Sequence, residues 1–155
     1  MGEPKKFSLF YFFLPRVLIN IVEINKMKVI IAGSRGFSDF QLLYAKCEEI
    51  LANVDGVEIV SGTARGADKL GEHYASLKGY SVRQFTPDWD KHGAKSGMIR
   101  NKEMAIYADV LICFWNYKSK GSQNMIEVAK ELNLKVYIID IREKNTHSNK
   151  SNSLF

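Results

Sequence analysis

The sequence predicts an α/β protein built on a doubly wound, five-stranded parallel sheet with helices on both faces. Five short apolar runs alternate with stretches of helical periodicity from Met27 onward. The runs are apolar almost throughout, which is typical of strands that are buried on both faces. Strict alternation of strands and helices implies right-handed crossovers between parallel strands. The expected order of the strands in the sheet is 3-2-1-4-5.

The predicted elements follow one another with short connections. The strands cover residues 29–32, 57–60, 82–85, 110–115 and 136–139. Ser38 and Gln41 form a candidate capping box for the first helix, whose apolar face ends before Gly56. The other helices are predicted over residues 66–78, closed by Gly79, over 96–108 and over 122–132.

Size and composition fit a single globular domain, which we assign to residues 27–141. The chain has 155 residues, of which 46% are hydrophobic and 25% charged. Its net charge of +5 is compatible with a nucleotide or nucleic-acid ligand but does not require one. Cys47 and Cys113 show neither metal-site spacing nor a disulfide framework, so we predict a cytoplasmic location.

The two ends of the chain differ from this domain. Residues 7–24 are strongly apolar, but they are interrupted by Pro15, Arg16, Asn20 and Glu23. They therefore resemble neither a clean bilayer span nor a secretory signal. We interpret residues 1–26 as an apolar extension that results from an upstream translation start; a peripheral membrane anchor and an extra packing helix are the alternatives. Residues 142–155 are polar and are predicted to be a disordered tail.

Residues 59–68, Ile-Val-Ser-Gly-Thr-Ala-Arg-Gly-Ala-Asp, have the pattern of a strand, a glycine turn and a helix start. The first amides of a helix lack partners and lie at the positive end of its dipole, so anions bind there. Arg65 adds a guanidinium suited to phosphate, and Gly62 and Gly66 allow a ligand to approach the main chain. The alternative is an ordinary strand-to-helix connection with a solvated arginine.

Glycines and polar groups also follow the other predicted strands. Residues 33–37, 62–68, 87–95 and 116–122 leave the carboxyl ends of strands, where open parallel sheets bind ligands. Neither glycine turn matches a dinucleotide fingerprint or a Walker loop. No acidic residue lies between residues 91 and 102, a stretch that contains Lys91, Lys95, Arg100 and Lys102. This favours an anionic, phosphorylated ligand, with a solvated helix face as the alternative. We predict no metal and no cofactor.

Aromatic and titratable side chains add candidates. Trp89 and Trp115 can stack a base, although Trp115 also fits a core position at the end of a buried strand. The histidines, His73 and His92, have no metal or catalytic partner at a readable spacing and are interpreted as surface or packing residues. Asp68 either helps to solvate its helix or fixes the Gly62 loop by accepting hydrogen bonds from its amides.

A set of short motifs is spread over the predicted domain: Gly33-Ser34-Arg35, residues 61–68, Gly71-Glu72, Asp88-Trp89, Lys91, Gly97, Arg100-Asn101, Met104, Ala108-Asp109, Phe114-Trp115 and residues 121–126. In these motifs the chain resembles the YspA-like branch of the SLOG superfamily. The resemblance extends from Met27 to about Asp140. It implies a Rossmann-like sheet shared with the LOG phosphoribohydrolases and the DNA-processing protein DprA. It also implies a nucleotide-derived ligand and a homodimer whose helices complete the cleft.

The LOG enzymes cleave the base from a nucleoside 5′-monophosphate with an arginine and a glutamate. The resemblance aligns the arginine with Arg100 and places Asn124 at the glutamate position; Glu127 lies one turn further along the helix. An amide cannot act as a general base. We therefore expect a nucleotide-binding or sensing domain, with a LOG-like N-glycosidase and DprA-like binding of single-stranded DNA as alternatives.

The candidate site residues fall into two groups. Tentative catalytic residues are Arg100, Asn124 and Glu127. The predicted ligand- and phosphate-binding residues are Gly33, Ser34, Arg35, Gly62, Thr63, Ala64, Arg65, Gly66, Asp68, Trp89, Asn101, Trp115, Gly121 and Ser122.

Overall fold

The computed structural model describes residues 25–143. Five parallel strands form one sheet in the order β3-β2-β1-β4-β5. Their bounds are β1 (Met27–Gly33), β2 (Val57–Ser61), β3 (Ser81–Gln84), β4 (Val110–Trp115) and β5 (Lys135–Asp140). The predicted doubly wound, Rossmann-like fold and its strand order are confirmed.

Helices connect the strands where periodicity predicted them. Their bounds are α1 (Phe40–Leu51), α2 (Ala67–Lys78), α3 (Trp89–His92), α4 (Ser96–Tyr107) and α5 (Lys120–Glu131), with a 3-10 turn over Gly93–Lys95. The short helix α3 and the 3-10 turn were not predicted. Both lie in the connection after β3, within the predicted loop 87–95, and Ser96 Oγ donates to the carbonyls of Asp88 at 2.8 Å and Gly93 at 2.6 Å there.

Two helix starts differ from their predicted positions. The cap of α1 is Asp39 rather than Ser38, since its Oδ1 accepts from the Leu42 amide at 2.9 Å. Helix α5 begins at Lys120, two residues early, because Ser119 Oγ accepts from the Ser122 amide at 3.3 Å. In both cases a neighbouring side chain supplies the capping oxygen that a helix start needs.

The two faces of the sheet bury separate apolar clusters. Side chains such as Val29, Ile31 and Ile112 pack with residues of α1 and α2 on one face. Side chains that point to the other face of the sheet, such as Ile30 and Leu111, pack with residues of α4 and α5. All five are fully buried, and each side chain of this size stabilises the fold by about 1.5–3 kcal/mol. The rim loops thus rest on a rigid sheet.

The edge strands are less buried than their apolar pattern predicted. All four residues of β3 are exposed, including Val82 at 39%, and β5 is only partly buried. The prediction of a strand buried on both faces is therefore wrong for β3. Each edge strand has one neighbour in the sheet, and the helices pack mainly over the central strands.

Several smaller expectations concern single residues or the ends of the chain. Cys47 and Cys113 are buried free thiols, and burial raises the pKa of each to about 12. His73 packs against the ring of Phe40, with ring centroids 4.6 Å apart. Between residues 25 and 143 no helix is long and apolar enough to cross a bilayer. The apolar segment 7–24 and residues 144–155 of the predicted tail lie outside the described residues.

Candidate ligand-binding cleft

Three adjoining cavities lie at the carboxyl end of the sheet, among the loops that leave β1, β2 and β4 and the helices α4 and α5. The inner cavity has a volume of about 60 Å³. The β3-side cavity measures about 300 Å³, and the α5-side cavity about 470 Å³. The two larger ones fall in the range of small-molecule sites, whereas the inner one accommodates only a small group.

These cavities bring together most of the predicted site residues. Arg35 and Arg100 line all three. The inner cavity adds Gly33, Ala64, Asp68, Asn101, Gly121 and Ser122. The β3-side cavity includes Gly62, Thr63, Arg65 and Trp89, and the α5-side cavity includes Asn124 and Glu127. Three predicted residues line none of them: Ser34, Gly66 and Trp115.

The turn after β2 is closed by hydrogen bonds within the protein. The Ala64 amide donates to Asp68 Oδ2 at 3.3 Å, and the Gly62 amide also stabilises this carboxylate. Arg100 Nη1 donates to the Gly62 carbonyl. A Cβ atom at Gly62 would lie 2.7 Å from Asp68 Oδ2 and 2.8 Å from Arg100 Nη1. Asp68 therefore fixes the loop, one of the two roles predicted for it, and occupies amides that an anion would otherwise use.

Burial controls the ionisation of the Asp68 and Arg100 pair. Burial raises the pKa of Asp68 to about 6 from an ordinary 3.8, although the Arg100 charge partly offsets the shift. Burial also lowers the pKa of Arg100; Asp68 counteracts this, and the nearby Arg35 charge adds to it. Arg35 itself is exposed and has no hydrogen-bond or ion-pair partner among the described residues. Its guanidinium is free to bind an anion.

A second network positions Thr63 in the same turn. Its amide donates to Ser61 Oγ at 3.1 Å, and the Ser61 hydroxyl donates to Glu72 Oε1 at 2.8 Å. Gln84 Nε2 of β3 donates to the same carboxylate oxygen at 3.1 Å. This arrangement holds Thr63 at a left-handed φ of 62°, which costs energy for a β-branched residue.

Ser34 and Gly66 join neighbouring loops. Ser34 is buried, and its Oγ accepts from the Asn116 amide at 3.3 Å. Gly66 has a φ of 78°, and a Cβ atom there would collide with the carbonyl groups of Ser34 and Arg35. Only glycine allows these two loops to approach so closely. Both residues therefore shape the cleft from behind its surface.

The start of α5 forms the wall opposite the β2 turn. Arg100 Nε donates to Asn101 Oδ1 at 3.1 Å. Asn101 Nδ2 donates to the Gly121 carbonyl at 3.2 Å and to Asn124 Oδ1 at 2.9 Å. The amides of Lys120 and Gly121, in the first turn of α5, have no acceptor among the described residues. Gly121 lines the inner cavity and Lys120 the α5-side cavity, and such amides at a helix start suit an anion.

The two tryptophans have different surroundings. Trp89 is 52% exposed and lines both larger cavities. Trp115 is half-buried; it stacks on Tyr117 with centroids 4.3 Å apart, and its Nε1 donates to the Ser119 carbonyl at 3.0 Å. Of the two rings, only Trp89 faces a space that a base can enter.

The predicted basic run contributes one residue to the cleft. Arg100 lines the cavities, whereas Lys91, Lys95 and Lys102 are exposed and line none of them. The other lining residues were not named as site residues: Ala32, Thr86, Pro87, Ala94, Gly97, Met98, Met104, Ser119, Lys120, Gln123 and Met125. Pro87, Ala94, Ser119 and Lys120 nevertheless lie in the loops 87–95 and 116–122, which were predicted to leave the carboxyl ends of strands.

The fold and the cleft define a class: Rossmann-like domains with a cationic ligand cleft at the carboxyl edge of the sheet. Residues 27–92 match the model of the YspA, cpYpsA-related SLOG family. The Gene 61 protein of Mycobacterium phage D29 is 33% identical over 116 residues, covering 70% of this chain and 93% of that protein. The chain belongs to the YspA, cpYpsA-related SLOG family.

Solved structures of DNA processing protein A share the fold. The protein from Streptococcus pneumoniae superposes with a TM-score of 0.62 at 20% identity, covering 83% of this chain and 54% of its own. The protein from Helicobacter pylori, studied for its single-stranded DNA binding mode, gives a TM-score of 0.61 at 20% identity over 79% of this chain and 69% of its own. This chain thus spans about half of the S. pneumoniae protein.

Proposed function

We propose that this chain binds a nucleotide-derived small molecule in the cleft, as a binding or sensing domain. The observation that supports this most directly is the inner cavity, where two guanidiniums and the first turn of α5 meet. Arg35 and Arg100 line it together with Asp68, and so does Gly121, whose amide has no acceptor within residues 25–143. Such a set of donors suits one phosphate group. The larger cavities beside it have the size that a nucleoside needs.

Equilibrium binding tests this proposal. Isothermal titration calorimetry of the full chain with nucleoside 5′-monophosphates of the four common bases should give saturable binding. Arg100→Ala should weaken it by about tenfold or more, because a hydrogen bond to a charged group contributes about 1.5–3 kcal/mol. Lys102→Ala is the matched control, since this exposed lysine of α4 lines no cavity. Equal losses in both variants would reject the proposed phosphate site.

Hydrolysis of the N-glycosidic bond of a nucleotide is the second candidate function, and the lining of one cavity favours it. Glu127 lines the α5-side cavity together with Arg100 and Asn124, so a carboxylate reaches the same space as the arginine. Asn124 is already hydrogen-bonded to Asn101, and Glu127 Oε1 accepts from Gln123 Nε2 at 2.9 Å. Chromatography of nucleoside monophosphates incubated with the protein measures base release. Release that is lost in Glu127→Gln would replace the sensor interpretation by an N-glycosidase.

Binding of single-stranded DNA is a third candidate. It is supported by the exposed ring of Trp89 beside a cationic cleft and by the fold shared with DNA processing protein A. Bases stack on such rings, and phosphates bind the cations. Oligonucleotide binding that weakens steeply with salt, without mononucleotide affinity, would favour DNA.

We also propose a homodimer. Met98 and Ile106 of α4 are 57% and 67% exposed, and Met98 lines the open α5-side cavity. A second copy packed on this face would cover both side chains and close the cavity.

A further inference from the structure

The inner cavity adjoins both larger ones, and these also meet each other at Trp89. It shares Ala64 with the β3-side cavity and shares Asn101 and Gly121 with the α5-side cavity. Trp89 lines both larger cavities and is absent from the lining of the inner one. A phosphate in the inner cavity is therefore adjacent to two ligand-sized spaces.

The β3-side cavity is cationic. Arg35, Arg65 and Arg100 line it, and its lining contains no carboxylate. Arg65 is exposed and, like Arg35, has no hydrogen-bond or ion-pair partner within residues 25–143. Its remaining lining is neutral: Gly62, Thr63, Ala64, Thr86, Pro87 and Trp89. Guanidiniums that the protein leaves uncompensated in a concave site favour a second phosphate.

The α5-side cavity has a different chemistry. Three side-chain amides line it, from Asn101, Gln123 and Asn124, and Met98 and Ala94 add apolar surface. Asn101 is engaged with Arg100, Gly121 and Asn124, but Asn124 Nδ2 and Gln123 Oε1 have no partner among the described residues. This donor and this acceptor match the edge of a nucleobase. Apart from the two arginines, the charged residues in its lining are Lys120 and Glu127, which carry opposite charges. This cavity therefore suits a neutral base, with Trp89 available for stacking.

From this arrangement we infer that the ligand is a nucleoside 5′-diphosphate or an ester of one; the inference rests on the function proposed above. The base occupies the α5-side cavity and the first phosphate the inner cavity. The second phosphate and its substituent occupy the β3-side cavity, where Arg65 binds them. A nucleoside monophosphate would leave Arg65 uncompensated and the β3-side cavity without ligand.

The test compares mono- and diphosphates of the same nucleoside by isothermal titration calorimetry. The probes are AMP, ADP and ADP-ribose, the corresponding uridine compounds, and a dinucleotide joined by a phosphodiester. We expect the diphosphates to bind about tenfold more tightly than the monophosphates. Arg65→Ala should remove this advantage, so that mono- and diphosphate bind the variant with affinities that agree within about twofold. Lys91→Ala removes the same charge from an exposed position outside the cavities and should change neither affinity.

The outcomes separate this inference from the proposed function. Equal affinities for mono- and diphosphates would overturn the inference and leave the nucleotide site intact. Equal losses for both ligands in Arg65→Ala would also overturn it, because the first phosphate would then lie at Arg65. If the dinucleotide binds more tightly than ADP, the inference is overturned, and the ligand is the end of a nucleic acid and not a nucleoside diphosphate. If no nucleotide binds wild-type protein, the proposed function itself fails.

Discussion

Asp68 provides the sharpest prediction for stability. The residue is 5% exposed, and burial raises the pKa of its carboxyl from 3.8 to about 6. The folded state therefore binds this proton more tightly than the unfolded state does. The stabilisation linked to the proton is complete below about pH 4 and is lost as the pH rises through about 6. A shift of about two units corresponds to about 3 kcal/mol.

The substitution Asp68→Asn exposes this effect. Asparagine does not titrate, and its Oδ1 can still accept from the Ala64 amide, which donates to Asp68 at 3.3 Å in the native protein. Urea unfolding of both proteins between about pH 4 and pH 8 gives their free energies of unfolding. The stability of the variant relative to wild type should rise by about 2.4 kcal/mol between about pH 4 and pH 7.

A neighbouring carboxylate supplies a control of opposite sign. Burial acts to raise the pKa of Glu72, but hydrogen bonds from Ser61, Gln84 and Lys69 lower it on balance. Its stabilising contribution is therefore present above its ordinary pKa of 4.5 and lost as the pH falls. Glu72→Gln should lose stability relative to wild type as the pH rises. The reasoning about Asp68 would be refuted by a pH-independent difference between Asp68→Asn and wild type, or by a difference with the sign seen for Glu72→Gln.

Three further substitutions test the site and the proposed dimer. Gly66→Ala should destabilise the fold by about 2–4 kcal/mol in urea unfolding, because a Cβ atom collides with carbonyl groups at a φ of 78°. Gly79→Ala, at a φ of 70° with no atom within 4 Å, should cost only about 1 kcal/mol, and equal costs would contradict the collision. Trp89→Ala should weaken nucleotide binding in calorimetry with little effect on stability, since the ring is 52% exposed. Trp115→Ala should lower stability with little effect on nucleotide binding. Weaker binding in Trp115→Ala, with Trp89→Ala unaffected, would place the base at Trp115. Ile106→Glu should convert a dimer to a monomer in analytical ultracentrifugation, and an unchanged mass would exclude this face.

Local sequence patterns predicted the elements and their order well. The fourth strand was predicted at its observed bounds, and Gly79 ends α2 in the left-handed conformation expected of it. The predicted position of the α1 cap was wrong because two adjacent residues both suit that position. Asp39 and Ser38 are both good caps, and the geometry of the chain before α1 selects Asp39. Strand β3, Ser-Val-Arg-Gln, has one apolar residue among four, and this polar composition fits the edge position that the prediction of a buried strand missed.

The sequence by itself determined the alternating α/β architecture and the loops that meet at the carboxyl edge of the sheet. Hydrophobic periodicity and the residue types that favour turns are both properties of a few consecutive residues. The tertiary structure decided which groups remain free for a ligand. Asp68 occupies the amides of the β2 turn, whereas Arg35 and the first turn of α5 remain available. Packing also separated Trp89 from Trp115. The burial of a side chain and the meeting of several side chains in one cavity depend on segments that are far apart in the chain. No local sequence pattern therefore predicts them.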